Sequence, residues 1–175
     1  MQLLMKISIL NKMKQMKLNK SIVIAVVCIL LFIIVDQTTK FLFAKNIVII
    51  ENILRFSIVT NTGGAFSFFS GDKTMVTILN FILIAMIARF IFLYKDRVRK
   101  LMVVALILVI AGGTSNLIDR IFRGYVLDFI DINQLIRFPV FNLADIIVVV
   151  GWVIFVVCVL LDIRGEKAWN TKNTK

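Results

Sequence analysis

The sequence predicts an integral membrane protein, mainly α-helical, with four transmembrane helices, a small extracytoplasmic β-sheet and a second outer loop between the third and fourth helices. Three observations predict it. The 175 residues are 60% hydrophobic, against about 45–50% in an ordinary soluble domain, and the mean hydropathy is +0.96. Four apolar segments, at 21–43, 74–94, 101–121 and 141–161, each reach the roughly 20 residues that a helix needs to cross a hydrocarbon core of about 30 Å. Basic residues are distributed unevenly about those segments. With one Pro, no repeat and no low-complexity tract, the chain reads as a single domain over residues 1–175.

The elements follow in order. Residues 1–20 are a basic tail holding Lys6, Lys12, Lys14, Lys17 and Lys20. The first helix opens with the charge-free run Ser21–Val35 and ends at Asp36 and Lys40. No small-x-small cleavage site follows it, so it reads as an uncleaved anchor. Residues 44–73 contain Ile47–Ile50 and Phe56–Thr60, β-branched and aromatic with partial alternation, then the turn signal Thr62-Gly63-Gly64; they are the expected sheet. The second helix is followed by a turn carrying Lys95, Arg97, Arg99 and Lys100. The third runs from Leu101 to Ile118 without a charge. The outer loop, 122–140, has Gly124 as a breaker and closes with Phe138-Pro139. The fourth helix carries Asp145 near its start, and residues 164–175 are a second tail with Arg164, Lys167, Lys172 and Lys175.

Thirteen basic residues flank the helices on the side of the two tails and seven on the other, with Arg89 inside the second span. Basic residues accumulate on the cytoplasmic side, so both termini are expected there. The net charge of +11 is then a topological collar facing anionic lipid, not a nucleic-acid footprint. The chain has no His, and Cys28 and Cys158 lie in separate apolar runs. That excludes the usual general base, a disulfide framework and a zinc site. Any catalysis must come from Asp, Glu, Lys, Ser or Tyr.

Charged and amide side chains are expensive at membrane depth, so their location is informative. Asp36 and Lys40 share a face at i,i+4, and Asn116, Asp119 and Arg120 share another, with Gly112 one turn deeper. Asn142 and Asp145 begin the fourth helix, and Asn61 and Asp128 belong to the two outer segments. All of these fall at the outer leaflet, whereas the inner ends carry mostly Lys and Arg. Each also has a plainer reading. Asp36 with Lys40, and Asp119 with Arg123, are ordinary helix-end ion pairs. Asn142-Leu143-Ala144-Asp145 reads as a capping box, and Asp128 and Asp131 as solvated loop acids. Gly112-Gly113 reads as a close helix crossing, and Asn80, Arg89 and Trp152 as packing or interface anchors. These readings explain the residues one by one but not their common depth.

Without His, two carboxylates sharing one proton are the natural catalyst: the ionised one takes a proton from water while the protonated one polarises a carbonyl and later protonates the leaving amine. Of the outer acids Asp36, Asp119, Asp128, Asp131 and Asp145, position favours Asp145, fixed in a first helical turn. Its partner must fold over it from a loop, and position alone does not choose between Asp128 and Asp131.

Five blocks carry a resemblance: Asp36-Gln37-Thr38-Thr39-Lys40, Asn61-Thr62-Gly63-Gly64-Ala65-Phe66-Ser67, Gly112-Gly113-Thr114-Ser115-Asn116-Leu117-Ile118-Asp119-Arg120, Val126-Leu127-Asp128-Phe129-Ile130 and Phe138-Pro139-Val140-Phe141-Asn142-Leu143-Ala144-Asp145. In this order and over about residues 20–163 they resemble the lipoprotein signal peptidase (signal peptidase II) family of membrane aspartic endopeptidases. The resemblance implies four helices with a β-cradle on the outer face of the bacterial cytoplasmic membrane. It implies removal of the signal peptide from prolipoproteins just before a diacylglyceryl-modified Cys. It also implies a dyad of Asp128 and Asp145, with Asn61, Asn116, Arg120 and Asn142 as substrate-contacting residues and Asp36, Lys40 and Asp119 as supporting ones. Expected partners are lipidated prolipoproteins and membrane lipids; a monomer is expected, with no nucleic acid and no metal or organic cofactor. Gly64, Thr60, Ser115 and Leu127 depart from the family pattern and bear on substrate preference more than on the dyad. The alternative is a small transporter or channel subunit with an outer-leaflet ion site. It requires a polar route through the inner halves, where Arg89 and few other polar groups lie.

Overall fold

The structure, a computed structural model, describes residues 2–43, 45–63 and 73–173, with side chains described at 6, 20–43, 45–63 and 73–163. The block residues Gly64-Ala65-Phe66-Ser67 and the side chains of most tail lysines lie outside the described residues. Four helices, α1 (Gln2–Phe43), α2 (Lys73–Tyr94), α3 (Lys100–Arg123) and α4 (Leu143–Asn173), alternate with three strands, β1 (Ile47–Ile50), β2 (Leu54–Asn61) and β3 (Val126–Asp131). The apolar spans within the helices, Lys20–Phe43, Lys73–Tyr94, Lys100–Arg123 and Leu143–Ile163, match the four expected segments closely. Two helices are longer than their spans. α1 starts at Gln2 rather than at Ser21, and α4 continues to Asn173, so both basic tails are helical extensions of a span.

α3 is the central helix. Half of its most apolar stretch is buried, against 6–17% in the other three. α3 touches each of the other helices, which leaves α1, α2 and α4 to present Ile, Leu, Val and Phe outward. An apolar exterior of this kind is stable against lipid rather than water. Ile87 of α2 packs with Leu106 and Val109 of α3, and Phe155 closes over them. α3 and α4 approach closely because their contact runs along glycines. A Cβ on Gly151 would sit 2.7 Å from the Ala105 carbonyl, and one on Gly112 would strike the Ala144 carbonyl and come 2.7 Å from Val148 Cγ2. The Gly112 stripe is thus a backbone-to-backbone crossing that sets the start of α4 against α3.

The strands form one antiparallel sheet in the order β1-β2-β3. β1 and β2 fall inside the expected 44–73 segment. β3 is a correction, since that stretch was expected as loop. α3 ends at Gly124, whose φ of 77° is the left-handed cap glycine allows at little cost, with its N–H on the Arg120 carbonyl at 3.1 Å. The chain then turns straight into β3. The sheet is fastened to the bundle by Phe43 at the end of α1, Phe56 of β2 and Phe129 of β3, with ring centroids 4.9–6.0 Å apart. An isolated bridge between Ile130 and Phe141 ties the residues before α4 back onto β3. That bridge brings Asn142 beside Asp128.

Candidate active site

The site is assembled from two connected groups at the end of the bundle where α1 and α3 finish and α4 begins. The first is ionic. Lys40, with no exposed surface, lies 2.7 Å from Asp36 Oδ2 and 2.7 Å from Asp119 Oδ2. Both carboxylates are equally buried. Gln37 and Arg123 donate to Asp119 Oδ1 at 3.0 and 2.8 Å. Asp36 accepts from the Ser115 hydroxyl at 2.6 Å and, through its other oxygen, from the Ala144 N–H at 2.9 Å. That N–H is one of the unsatisfied donors of a helix start, where a carboxylate is favoured. The i,i+4 pairs read from the sequence exist, but each also reaches a second helix and docks α1 onto α3 and α4.

The second group holds the candidate dyad. Asn142 and Asp145 form the expected capping box: the Asp145 N–H donates to Asn142 Oδ1 at 3.0 Å and the Asn142 N–H to Asp145 Oδ2 at 3.1 Å. The box does more than start a helix. Asn142 Nδ2 donates to Asp128 Oδ1 at 2.7 Å, so a single residue bridges the two carboxyl groups. Asn116 Nδ2 donates to Asp145 Oδ1 at 2.8 Å, and Asn61 Nδ2 donates to Asp128 Oδ2 at 2.9 Å. Asn116 Oδ1 accepts from Lys40 at 3.0 Å and from Asn142 at 3.1 Å, which links the two groups. Each oxygen of Asp128 and Asp145 therefore faces a neutral donor, and no cation touches either carboxyl among the described residues.

Asp128 is 1% exposed. Burial first, and the charge of Asp145 second, push its carboxyl up to about 6, against the Asn61 and Asn142 hydrogen bonds and the charge of Lys40. Asp131 behaves oppositely. It too is buried, which raises its pKa, but the Asn133 backbone, Arg55, Ser57 and the Asn133 side chain together bring it down to about 2. Arg55 lies 2.6 Å away and the Ser57 hydroxyl 2.9 Å. Neither acid is the solvated loop residue of the plainer reading; Asp131 is a structural clamp between β2 and β3. Strand register separates them, for β2 sets Arg55 opposite Asp131 and Val59 opposite Asp128.

All nine residues singled out in the sequence, Asn61, Asn116, Arg120, Asn142, Asp36, Lys40, Asp119, Asp128 and Asp145, are brought together here. Arg120 is the loosest, with one guanidinium nitrogen 3.4 Å from the Asn116 carbonyl and its buried Nε without a partner among the described residues. Sequence reasoning missed the roles of Gln37 and Ser115. Both lie inside the resembling blocks, and their spacing from Asp36 and Asn116 was the available signal. Asn80, read from the sequence as a packing residue, also lines a cavity of about 150 Å³ together with Asn116, Arg120, Asp145, Val148 and Trp152.

Comparison with known proteins identifies the family. The family model described as signal peptidase (SPase) II matches residues 5–161. A lipoprotein signal peptidase of Staphylococcus aureus (strain JH9) is 35% identical over 167 residues, covering 91% of this chain and 99% of that protein. The lipoprotein signal peptidase of Lactococcus lactis subsp. lactis (strain IL1403) is 34% identical over 145 residues, covering 79% and 95%. A solved bacterial membrane enzyme superposes with a TM-score of 0.74 at 30% identity, covering 81% of this chain and 90% of that one. A match over most of the chain, with relatives of this identity aligned along nearly their whole length, places the protein: it belongs to the signal peptidase II family of aspartic peptidases.

Proposed function

We propose that the protein removes the signal peptide from diacylglyceryl-modified prolipoproteins, cutting just before the lipidated Cys, with Asp128 and Asp145 as the catalytic pair. The observation that carries the assignment is Asn142, whose amide and N–H hold one oxygen of each carboxyl. Family membership and the lipoprotein signal peptidase names of the relatives support the substrate class.

In the proposed reaction the pair holds one proton. The ionised carboxylate takes a proton from water, and the water oxygen attacks the scissile carbonyl carbon. The protonated carboxyl donates to the carbonyl oxygen, giving a neutral tetrahedral intermediate. Collapse re-forms the carbonyl, breaks the C–N bond and delivers a proton to the leaving amine of the lipidated Cys. Asn61, Asn116 and Asn142 fix the carboxyls without neutralising them. The diacylglyceryl chains stay among the lipids, so the reacting bond is delivered by anchoring rather than by diffusion. The basic collar supports cytoplasmic termini and a site at the outer leaflet.

Separate replacement of Asp128 and Asp145 by Asn tests the reading. Each lowers release of signal peptide from a lipidated precursor by about 10²–10⁴-fold, while Glu51→Gln, on the exposed turn after β1, leaves it unchanged. Retained turnover in either dyad variant overturns the assignment.

A further inference from the structure

Asn80 is an amide well inside an apolar helix. It lies seven residues into α2, about 10 Å along the helix axis. At that depth a Leu would be less costly to hold, and Val76, Leu83, Ile84 and Ile87 around it are all apolar. Its side chain donates once, from Nδ2 to the Gly113 carbonyl of α3 at 3.3 Å. No partner for Oδ1 occurs among the described residues, and this oxygen is not among their sealed, unsatisfied polar atoms.

Asn80 also lines the cavity, and its Oδ1 lies beside Gly113, another lining residue. Three helix faces line the cavity: Asn80, Leu83, Ile84 and Ile87 from α2, Val109, Gly113, Asn116 and Arg120 from α3, and Asp145, Val148 and Trp152 from α4. Asp145 is part of its lining. On the α3 side Asn116 uses its amide nitrogen on Asp145 and its oxygen on Lys40 and Asn142, and Arg120 offers only a donor, its Nε having no partner among the described residues. The α2 wall is otherwise hydrocarbon. A peptide segment lying in this cavity next to Asp145 therefore meets one free acceptor on the α2 side, set in an apolar surround where a missing hydrogen bond is not replaced by water.

We propose that Asn80 is a specificity-determining residue that accepts a hydrogen bond from the hydroxyl of a Ser or Thr in the signal-peptide segment preceding the cut. The inference rests on the proposed peptidase activity and deepens it. Its effect is on the choice among precursors: a hydroxyl at the position that packs against α2 raises kcat/KM over Ala or Val at that position. One neutral hydrogen bond corresponds to about 3–10-fold.

The test is a scan of lipidated precursors in which each residue before the cut is in turn Ser, Ala or Val, assayed with the wild-type protein and with Asn80→Leu. The expected result is a Ser preference of that size at one position, lost in Asn80→Leu, with the all-apolar precursor cleaved within about two-fold of wild type. A wild-type protein with no hydroxyl preference at any position overturns the inference, as does a preference that survives Asn80→Leu. If Asn80→Leu fails to fold, Asn80→Ser, which keeps a shorter polar group, is compared instead; an unchanged Ser-to-Ala ratio there makes Asn80 a helix-packing residue and overturns the inference. Release from no precursor at all by the wild-type protein is a different outcome, and it overturns the peptidase reading itself.

Discussion

Two pairs of carboxyls stand side by side at one end of this bundle, all buried but the half-buried Asp145, and they are built in opposite ways. Asp36 and Asp119 each touch the ammonium of Lys40 at 2.7 Å. Among the described residues, Asp128 and Asp145 accept hydrogen bonds only from amides, those of Asn61, Asn116, Asn142 and the Asn142 backbone. A carboxylate against a buried cation is neutralised in place and serves as a clamp. Carboxyls held by neutral donors keep their mutual repulsion, and a shared proton is the inexpensive way to relieve it. Asn116 is the hinge between the two designs, with its oxygen on Lys40 and its nitrogen on Asp145.

Removing the cation breaks the first pair. Lys40→Met leaves two carboxylates buried without their counter-charge, and truncating one partner of a buried ion pair costs about 3–5 kcal/mol. The melting temperature in detergent or lipid falls sharply; an unchanged value contradicts the clamp. Asp131→Asn is expected to cost less, about 1–3 kcal/mol, because its partner Arg55 is 44% exposed and recovers water. The sign follows from its pKa of about 2 against an ordinary 3.8: Asp131 contributes stability above about pH 3.8, and the contribution is lost as pH falls through about 2.

The proposed dyad has the reverse dependence. Burial and the charge of Asp145 push the Asp128 carboxyl up to about 6, so Asp128 gives up its proton as pH rises through that value. Activity that needs the shared proton is present below about pH 6 and falls as pH rises through it; the stability that protonation of Asp128 contributes is likewise complete below about 3.8 and lost through about 6. A pH profile of kcat/KM that stays flat across this range contradicts the sharing. The smallest effect is the shift of that limb. Asn61 donates to Asp128 and lowers its pKa, so Asn61→Ala moves the limb to higher pH, and a shift to lower pH contradicts the arrangement.

Much of this was legible without coordinates, and the gaps have physical causes. Hydropathy located the four spans, because lipid imposes length and apolarity on any helix that crosses it. Helical spacing placed Asp36 with Lys40, and Asn116 with Asp119 and Arg120, on common faces. β3 was not legible: Val126–Asp131 contains two acids, and strands with buried acids read as loops until their partners are known. Asn61 and Asn142 satisfy one acid; Arg55, Ser57 and Asn133 satisfy the other. The choice between Asp128 and Asp131 was hidden for the same reason. They lie three residues apart on one strand, and what distinguishes them is the cross-strand neighbour, which depends on register. Resemblance to the family points to Asp128, and register accounts for the different surroundings of the two acids. Asn80 was read as packing. Its hydrogen bond to Gly113 fits that reading, but the cavity beside Asp145 is a property of three helices together.

The contrast between clamp and catalyst is tested most directly by measuring signal-peptide release and melting temperature on the same preparation of Asp128→Asn. Asn keeps the size of the side chain and removes the ability to hold or give up the shared proton. The predicted result is release reduced by about 10²–10⁴-fold with a melting temperature close to that of the unsubstituted protein. Release at the original rate, or a loss of release accompanied by a fall in melting temperature as large as that of Lys40→Met, would contradict the account and make Asp128 a second clamp.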